Sequence, residues 1–396
     1  MEETLNPFAP GAGTPPPELA GRSDILKSAE VSLARIAAVR PAKGLILIGL
    51  RGVGKTVLLN EVQKIAENTN YEAVFVEAHE GKRLGDLLVP ELRRVLLKMD
   101  RVGAASEVAK KALRVLRSFI SSVKIKYEGL ELDVKPEPGV ADTGDLESDL
   151  TQLFVALGEA AKARKRPVAL IIDELQYLDE AELSALIMAV HRVTQKQLPV
   201  ILVGAGLPQL VGQMGRSKSY AERLFEFPPI GPLSTPDAKK ALQDPAKAEG
   251  AEFNAQALSE IIKVTEGYPY FLQEWGYHSW NISEKSPIDL NTVRKAHKKA
   301  IDRLDKSFFR VRFDRLTNRE KDYLRAMAEL GPGPHRSGDI AEALGVKVET
   351  VAPVRNNLIR KGMIYSQQHG ETSFTVPLFD QYMKRVMPKM PKRRGG

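Results

Sequence analysis

Gly44-Leu45-Ile46-Leu47-Ile48-Gly49-Leu50-Arg51-Gly52-Val53-Gly54-Lys55-Thr56 is a short apolar run that breaks into glycines and then into Lys-Thr. Uninterrupted apolar residues between two glycines suit a strand buried on both faces. Residues 49–56 fit the phosphate-binding pattern G-x-x-x-x-G-K-[ST], and they stand where that pattern works, after a buried strand and opening a helix. The glycines let the backbone turn its N–H groups toward phosphates, and the helix start adds partial positive charge. Gly49, Gly52, Gly54, Lys55, Thr56 and Val57 are the expected nucleotide contacts. Lys55 would reach the β- and γ-phosphates of ATP and the Thr56 hydroxyl would hold Mg²⁺.

Outward from this loop the chain reads as helix 55–68, strand 73–77, helix 84–98, helix 146–163, strand 168–172, helix 180–196, strand 200–204 and a short strand near 224–227. Strands alternating with helices predict an α/β fold, a parallel sheet wrapped on both faces. The strand 168–172 runs into Asp173-Glu174. Asp173 is the expected Mg²⁺ ligand through water, and Glu174 the group that orients and deprotonates an attacking water. Residues 101–145 read as an insertion, with a basic helix carrying Lys110, Lys111, Arg114 and Arg117. Alternating apolar residues over 123–134 around Glu128-Gly129 then predict a surface hairpin.

The chain has 396 residues, 43% hydrophobic and 27% charged, which suits a multidomain globular protein. Residues 1–17, rich in Pro and Gly, predict an extended arm, either strapped onto a domain or free. The sheet domain is expected over 18–232, an all-helical lid over 233–288, a charged linker helix over 289–316, and a separate unit over 317–386 ahead of a basic tail, 387–396. No apolar run approaches a membrane span. No secretory pattern opens the chain, so a cytoplasmic protein is expected. There is no cysteine and the six histidines lack ligand spacing, so no structural zinc is expected. The net charge of +8 is unevenly spread. Residues 281–396 hold 24 Lys and Arg against 13 Asp and Glu, a net of +11, and the rest holds 34 against 37, a net of −3. A basic third joined to a near-neutral engine is the footprint of a nucleic-acid-binding module or of a solvated basic face.

Within the C-terminal unit, Thr317 and Glu320 form a capping-box pattern for a first helix. Residues 337–344 and 350–361 predict a second and a third helix, and 363–366 and 372–375 two strands around Gln367-Gln368-His369-Gly370. That order is a winged helix-turn-helix. In a DNA-binding version the third helix enters the major groove. Lys347, Arg355, Asn356, Arg360, Lys361 and His369 are the candidate contacts with duplex DNA. Arg360 and Lys361 suit phosphates, and Gln367, Gln368 and His369 could enter the minor groove from the wing. Winged helices also bind proteins.

The loop 49–56, the Ile172-Asp173-Glu174 strand end, and the order of sheet domain, lid and winged helix resemble AAA+ ATPases of the origin-recognition (Orc/Cdc) type and bacterial AAA family ATP-binding proteins. The resemblance implies that Leu19-Ala20-Gly21-Arg22 lies against the adenine. It implies that Glu77 either restrains the catalytic acid or is an ordinary strand-end acid. Arg223, with Arg216 as competitor, is similar in position to an arginine finger that completes a neighbouring subunit's site in a homo-oligomer, or else makes a surface ion pair. Two features depart from the family pattern. No polar side chain follows the fourth strand over 203–208, and Gly267-Tyr268-Pro269-Tyr270 stands where a lid arginine is usual. The resemblance therefore implies slow or partner-stimulated hydrolysis. Gly267-x-Pro269 is similar to the lid motif of the signal-transduction (STAND) branch, in which Pro269 would touch the base. Trp275 and Trp280 read as lid core. Two functional readings follow: a DNA-associated AAA+ ATPase that assembles on duplex DNA or loads a partner, and a STAND-like nucleotide switch whose winged helix binds protein.

Overall fold

The computed structural model describes the chain except for residues 12, 101–105, 125–133, 367–369 and 391–396. The predicted hairpin, His369, its two glutamine neighbours and the end of the basic tail lie outside the described residues. The sheet domain runs α1 (Ser23–Ala37), β1 (Gly44–Gly49), α2 (Lys55–Asn68), β2 (Glu72–Glu77), α3 (Leu84–Asp100), α4 (Ser106–Ser122), α5 (Leu146–Arg164) and β3 (Val168–Asp173). It continues through α6 (Glu180–Gln195), β4 (Val200–Gly206), α7 (Gln209–Ser217), α8 (Ala221–Leu224), β5 (Phe225–Glu226) and β6 (Pro229–Ile230). The strand order is β2-β3-β4-β1-β5, with β6 also on β1, and every pairing is parallel. All residues of β3 and β4 are buried, as central strands covered by helices on both faces require. The short strand expected near 224–227 is β5, and a second short strand that was not expected, β6, follows it. Phe227 and Pro228 separate the two, and proline brings no N–H to a ladder.

Four helices follow: α9 (Thr235–Ala248), α10 (Ala255–Thr265), α11 (Pro269–Ile282) and α12 (Leu290–Leu304). Trp275 and Trp280 are 0% and 2% exposed and form the core of this lid. The arm of residues 1–17 lies along α11: Asn6 Nδ2 donates to the Tyr277 carbonyl at 3.0 Å, and Trp280 Nε1 donates to the Glu2 carbonyl at 2.9 Å. Phe8, 2% exposed, fills the space above Gly276, where even a methyl group would come within 2.7 Å of its ring. The linker helix expected as one piece continues past α12 through a π-helical turn, Asp305–Phe309, into α13 (Arg310–Asp314).

The C-terminal unit is α14 (Asn318–Glu329), β7 (His335–Arg336), α15 (Ser337–Leu344), α16 (Val348–Arg360), β8 (Ile364–Tyr365), β9 (Glu371–Phe374) and α17 (Phe379–Val386). The expected capping box forms, with Thr317 and Glu320 bonded reciprocally. The small sheet is antiparallel, in the order β7-β9-β8. β7 has only two residues, too few for an alternation that sequence could reveal. The unit rests on the sheet domain: the Arg51 N–H donates to the Thr375 carbonyl at 3.2 Å. No helix among the described residues is long and apolar enough to cross a membrane.

Candidate functional site

β1, β2 and β3 run parallel, so their C-terminal ends share one rim, with Glu77 in register with Asp173. At Gly49 a first side-chain carbon would stand 2.2 Å from the Ile230 carbonyl oxygen, so the chain leaves β1 beside β6 only as glycine. Gly52 and Gly54 take φ of 82° and 94°, and α2 starts at once with Lys55. The buried Lys55 ammonium donates to the Gly49 and Leu50 carbonyls at 3.0 and 2.9 Å. Burial lowers its pKa, against the charges of Glu174 and Asp173.

Thr56 Oγ1 donates to Asp173 Oδ2 at 2.5 Å. A hydroxyl and a carboxylate from two distant segments thus meet at one point, and hard oxygen donors of this kind suit Mg²⁺. Thr56 and Asp173 are the residues that would hold it. Burial, with the neighbouring Glu174 charge, raises the Asp173 pKa against the hydrogen bond from Thr56. Glu77 on the same rim is also raised, by partial desolvation and then by Asp173 and Glu174. Glu174 sits at φ 54°, uncommon for a non-glycine residue, and is held from two sides. Gln176 Nε2 donates to its Oε2, and Arg51 Nη1 lies 3.7 Å from its Oε1. Arg51 Nη2 also donates to the Tyr177 hydroxyl at 2.8 Å. Gln176 Oε1 accepts from the Leu207 N–H at 3.1 Å. The polar group that the sequence after β4 lacks is therefore brought there by Gln176, on the 3-10 turn Leu175–Tyr177.

Arg51, Lys55, Thr56, Glu77 and Glu174 open on a cavity of about 540 Å³, within the range of small-molecule sites. The arm, the phosphate-binding loop with Val57, the lid and the connector around α13 all line it, and Leu19, Leu233, Ala241 and Leu272 give it apolar surface. Arg22 lines it too, but its guanidinium is spent on the Val53 and Gly231 carbonyls, tying the loop to the segment after β6. Burial lowers its pKa. Pro269 opens α11 on the cavity wall, and the next residue, Tyr270, gives its N–H to the Gly52 carbonyl at 3.2 Å.

Residues 18–203, which hold all of the loop and both strand-end acids, match the AAA ATPase domain family. The chain carries an AAA ATPase domain. Beyond this AAA domain, residues 306–383 match a domain of unknown function (DUF8462). No curated protein matches the chain in sequence. Among solved structures, a Walker-type ATPase of Pyrococcus abyssi is similar over 96% of this chain and 99% of that one, with a TM-score of 0.57 and 16% identity. That likeness carries the fold across the lid and the C-terminal unit as well as the AAA domain. Cdc6p of Pyrobaculum aerophilum (TM-score 0.48, 16% identity, 98% of each chain) is also similar. So is the Orc1 protein of Aeropyrum pernix, solved in complex with DNA (TM-score 0.46, 17% identity, 94% of each chain).

The remaining candidates lie away from the AAA cavity. Arg223 ends α8 and Arg216 lies near the end of α7, both exposed. Arg223 is near the start of β1, where Gly44 pairs with Phe225, at the opposite end from the loop. On α16, Asn356 and Arg360 are exposed, as is Lys347 just before it. Arg355 is half-buried and donates to Ser366 Oγ at 3.0 Å. Lys361 is drawn into the protein, donating to the Arg315 carbonyl at 3.0 Å and pairing with Glu320 at 2.8 Å. Sequence reasoning missed Arg51, Gln176 and Arg312, which also lines the cavity. Arg51 occupies a freely variable place in the loop pattern, and Gln176 follows the acids by two residues with no pattern to mark it. Arg312 reaches the site only through the tertiary fold.

Proposed function

We propose that this chain hydrolyses ATP and couples the cycle to duplex DNA, assembling on it or loading a partner there. The observation that carries the ATPase half is the convergence of Thr56 and Asp173 beside Glu174, at the mouth of the phosphate-binding loop. Mg²⁺, when bound, neutralises charge on the phosphates. Lys55 adds to that neutralisation. Glu174 accepts the proton of the attacking water, and Arg51 and Gln176 keep its carboxylate turned to the task. Arg223 is proposed as the finger offered to a neighbouring subunit of a homo-oligomer.

The DNA half rests on the net +11 of residues 281–396 and on the exposed polar end of α16. We read α14–α16 with β7–β9 as a winged helix. Lys347 and Arg360 serve phosphates, Asn356 a base edge, and His369, which lies outside the described residues, the minor groove, while Arg355 and Lys361 hold the unit together.

The test is ATP turnover with and without duplex DNA across a salt series, with Lys55→Ala as background. DNA is expected to stimulate turnover at low salt, and added salt to abolish the effect, because phosphate contacts release counterions. Turnover above background that ignores DNA at every salt concentration overturns the DNA half and leaves the ATPase half standing.

A further inference from the structure

Among the described residues, four cations line the cavity: Arg22, Arg51, Lys55 and Arg312. Three are committed within the protein, Arg22 and Lys55 to backbone carbonyls and Arg51 to Glu174 and Tyr177. Arg312 differs. Among the described residues no carboxylate lies in ion-pair range of it; its guanidinium lies over the Phe308 ring, 4.0 Å from the centroid, and donates to the Phe308 carbonyl. Burial, and then the charge of Arg51, pull its pKa down to about 10, while Glu174 and Tyr177 act the other way. Arg312 and Arg51 together line one small cleft, and Arg51 Nη1 lies 3.7 Å from Glu174 Oε1, so Arg312 sits at the Glu174 end of the cavity. Two half-buried guanidiniums side by side are offset by an added anion.

Its position is also fixed. Phe308 stacks on Tyr270 with centroids 4.7 Å apart and planes 22° from parallel, and Tyr270 is bonded through its N–H to Gly52 of the phosphate-binding loop. The ring stack thus sets the distance between Arg312 and the place where phosphates enter. We propose that Arg312 binds the terminal phosphate of ATP, supplied by the same chain from the connector, and is the residue by which the cavity tells ATP from ADP. The proposal rests on the nucleotide reading of the cavity given above. The terminal phosphate must lie near the water-activating Glu174, which is where Arg312 is, and a guanidinium offers it a planar fork of donors.

The experiment measures the affinities of a non-hydrolysable fluorescent ATP analogue and of fluorescent ADP, both with Mg²⁺. The proteins are the parent, Arg312→Gln, Arg312→Lys and Lys55→Ala. Arg312→Gln is expected to weaken the ATP analogue by about tenfold or more, and ADP by less than about twofold, one lost charged contact being worth at least a factor of ten. Arg312→Lys keeps a charge and a stem over Phe308, and is expected to lose about threefold in ATP preference because the second donor of the fork is gone. Equal losses for both nucleotides in the two variants, or no loss for either, overturns the assignment. A parent that binds neither nucleotide sinks the nucleotide reading first, and this proposal with it.

Discussion

Gln176 touches Glu174 with one end of its amide and the end of β4 with the other, so it transmits the position of one strand to an acid on the next. A hydrogen bond to a charged acceptor contributes about 1.5–3 kcal/mol. Gln176→Ala is therefore expected to slow ATP turnover by about tenfold, one power of ten per ~1.4 kcal/mol, with ATP affinity unchanged. Glu174→Gln, which removes the base itself, is expected to cost about 10²–10⁴-fold. Single-turnover rates for the two variants check the order, and parental turnover in Gln176→Ala would mean that Arg51 alone orients the acid. Lys55, Thr56 and Asp173 were legible in the sequence because a strand, a turn and a helix in immediate succession leave such residues few places to go. Gln176 and Arg312 were not, since their chemistry comes from what they touch, and those partners lie elsewhere in the chain.

Among the elements, α5 shows how the irregular segment before it is closed. Asp149 is fully buried and accepts from Ser122 Oγ at 2.6 Å, Thr143 N at 3.1 Å, Thr143 Oγ1 at 2.8 Å and Gly144 N at 2.9 Å. It fastens the last residue of α4 and the turn at 143–144 to one helix. Burial opposes its charge, but these donors outweigh it, and its pKa lies below the usual carboxylate value. A pKa lower in the folded than in the unfolded state stabilises fully at neutral pH. That stabilisation begins to fade near the unfolded value of about 4 and is gone once pH drops through the folded value. Asp149→Asn turns an amide toward donors and is expected to cost about 2 kcal/mol at pH 7. Urea unfolding from pH 7 to pH 3 checks this: the gap between parent and variant should narrow as the pH falls. Sequence located α5, as it did the other long helices, from apolar periodicity. It did not show the break between β5 and β6 or the π turn after α12. The first is marked by Pro228-Pro229 just past the expected strand; the second does not depart from the flanking pattern and is set by packing against α17.

Over the whole molecule, the composition of the arm foretold an extended chain but not its resting place. Phe8 decides that place, by fitting over Gly276 and edge-on to Phe253, with ring centroids 6.1 Å apart. Phe8→Ala, at about 3–5 kcal/mol for a buried phenylalanine, is expected to free the arm from the lid. Stopped-flow displacement of fluorescent ADP should then show faster release, whereas an unchanged rate would mean that the arm does not gate the cavity. The change from alternating strands to helices alone after β6 was legible in the periodicity. The contacts between domains were not, because a docking surface has no periodicity. One of those contacts has a mechanical meaning. Arg51 gives its side chain to Glu174 and its backbone N–H to Thr375, so the proposed catalytic carboxylate and the C-terminal unit hang from the same residue. Arg51 is the fulcrum of a lever whose long arm is α14–α17. On the proposed reading, a shift of that long arm against the sheet domain would be felt at the short arm as a displacement of one carboxylate.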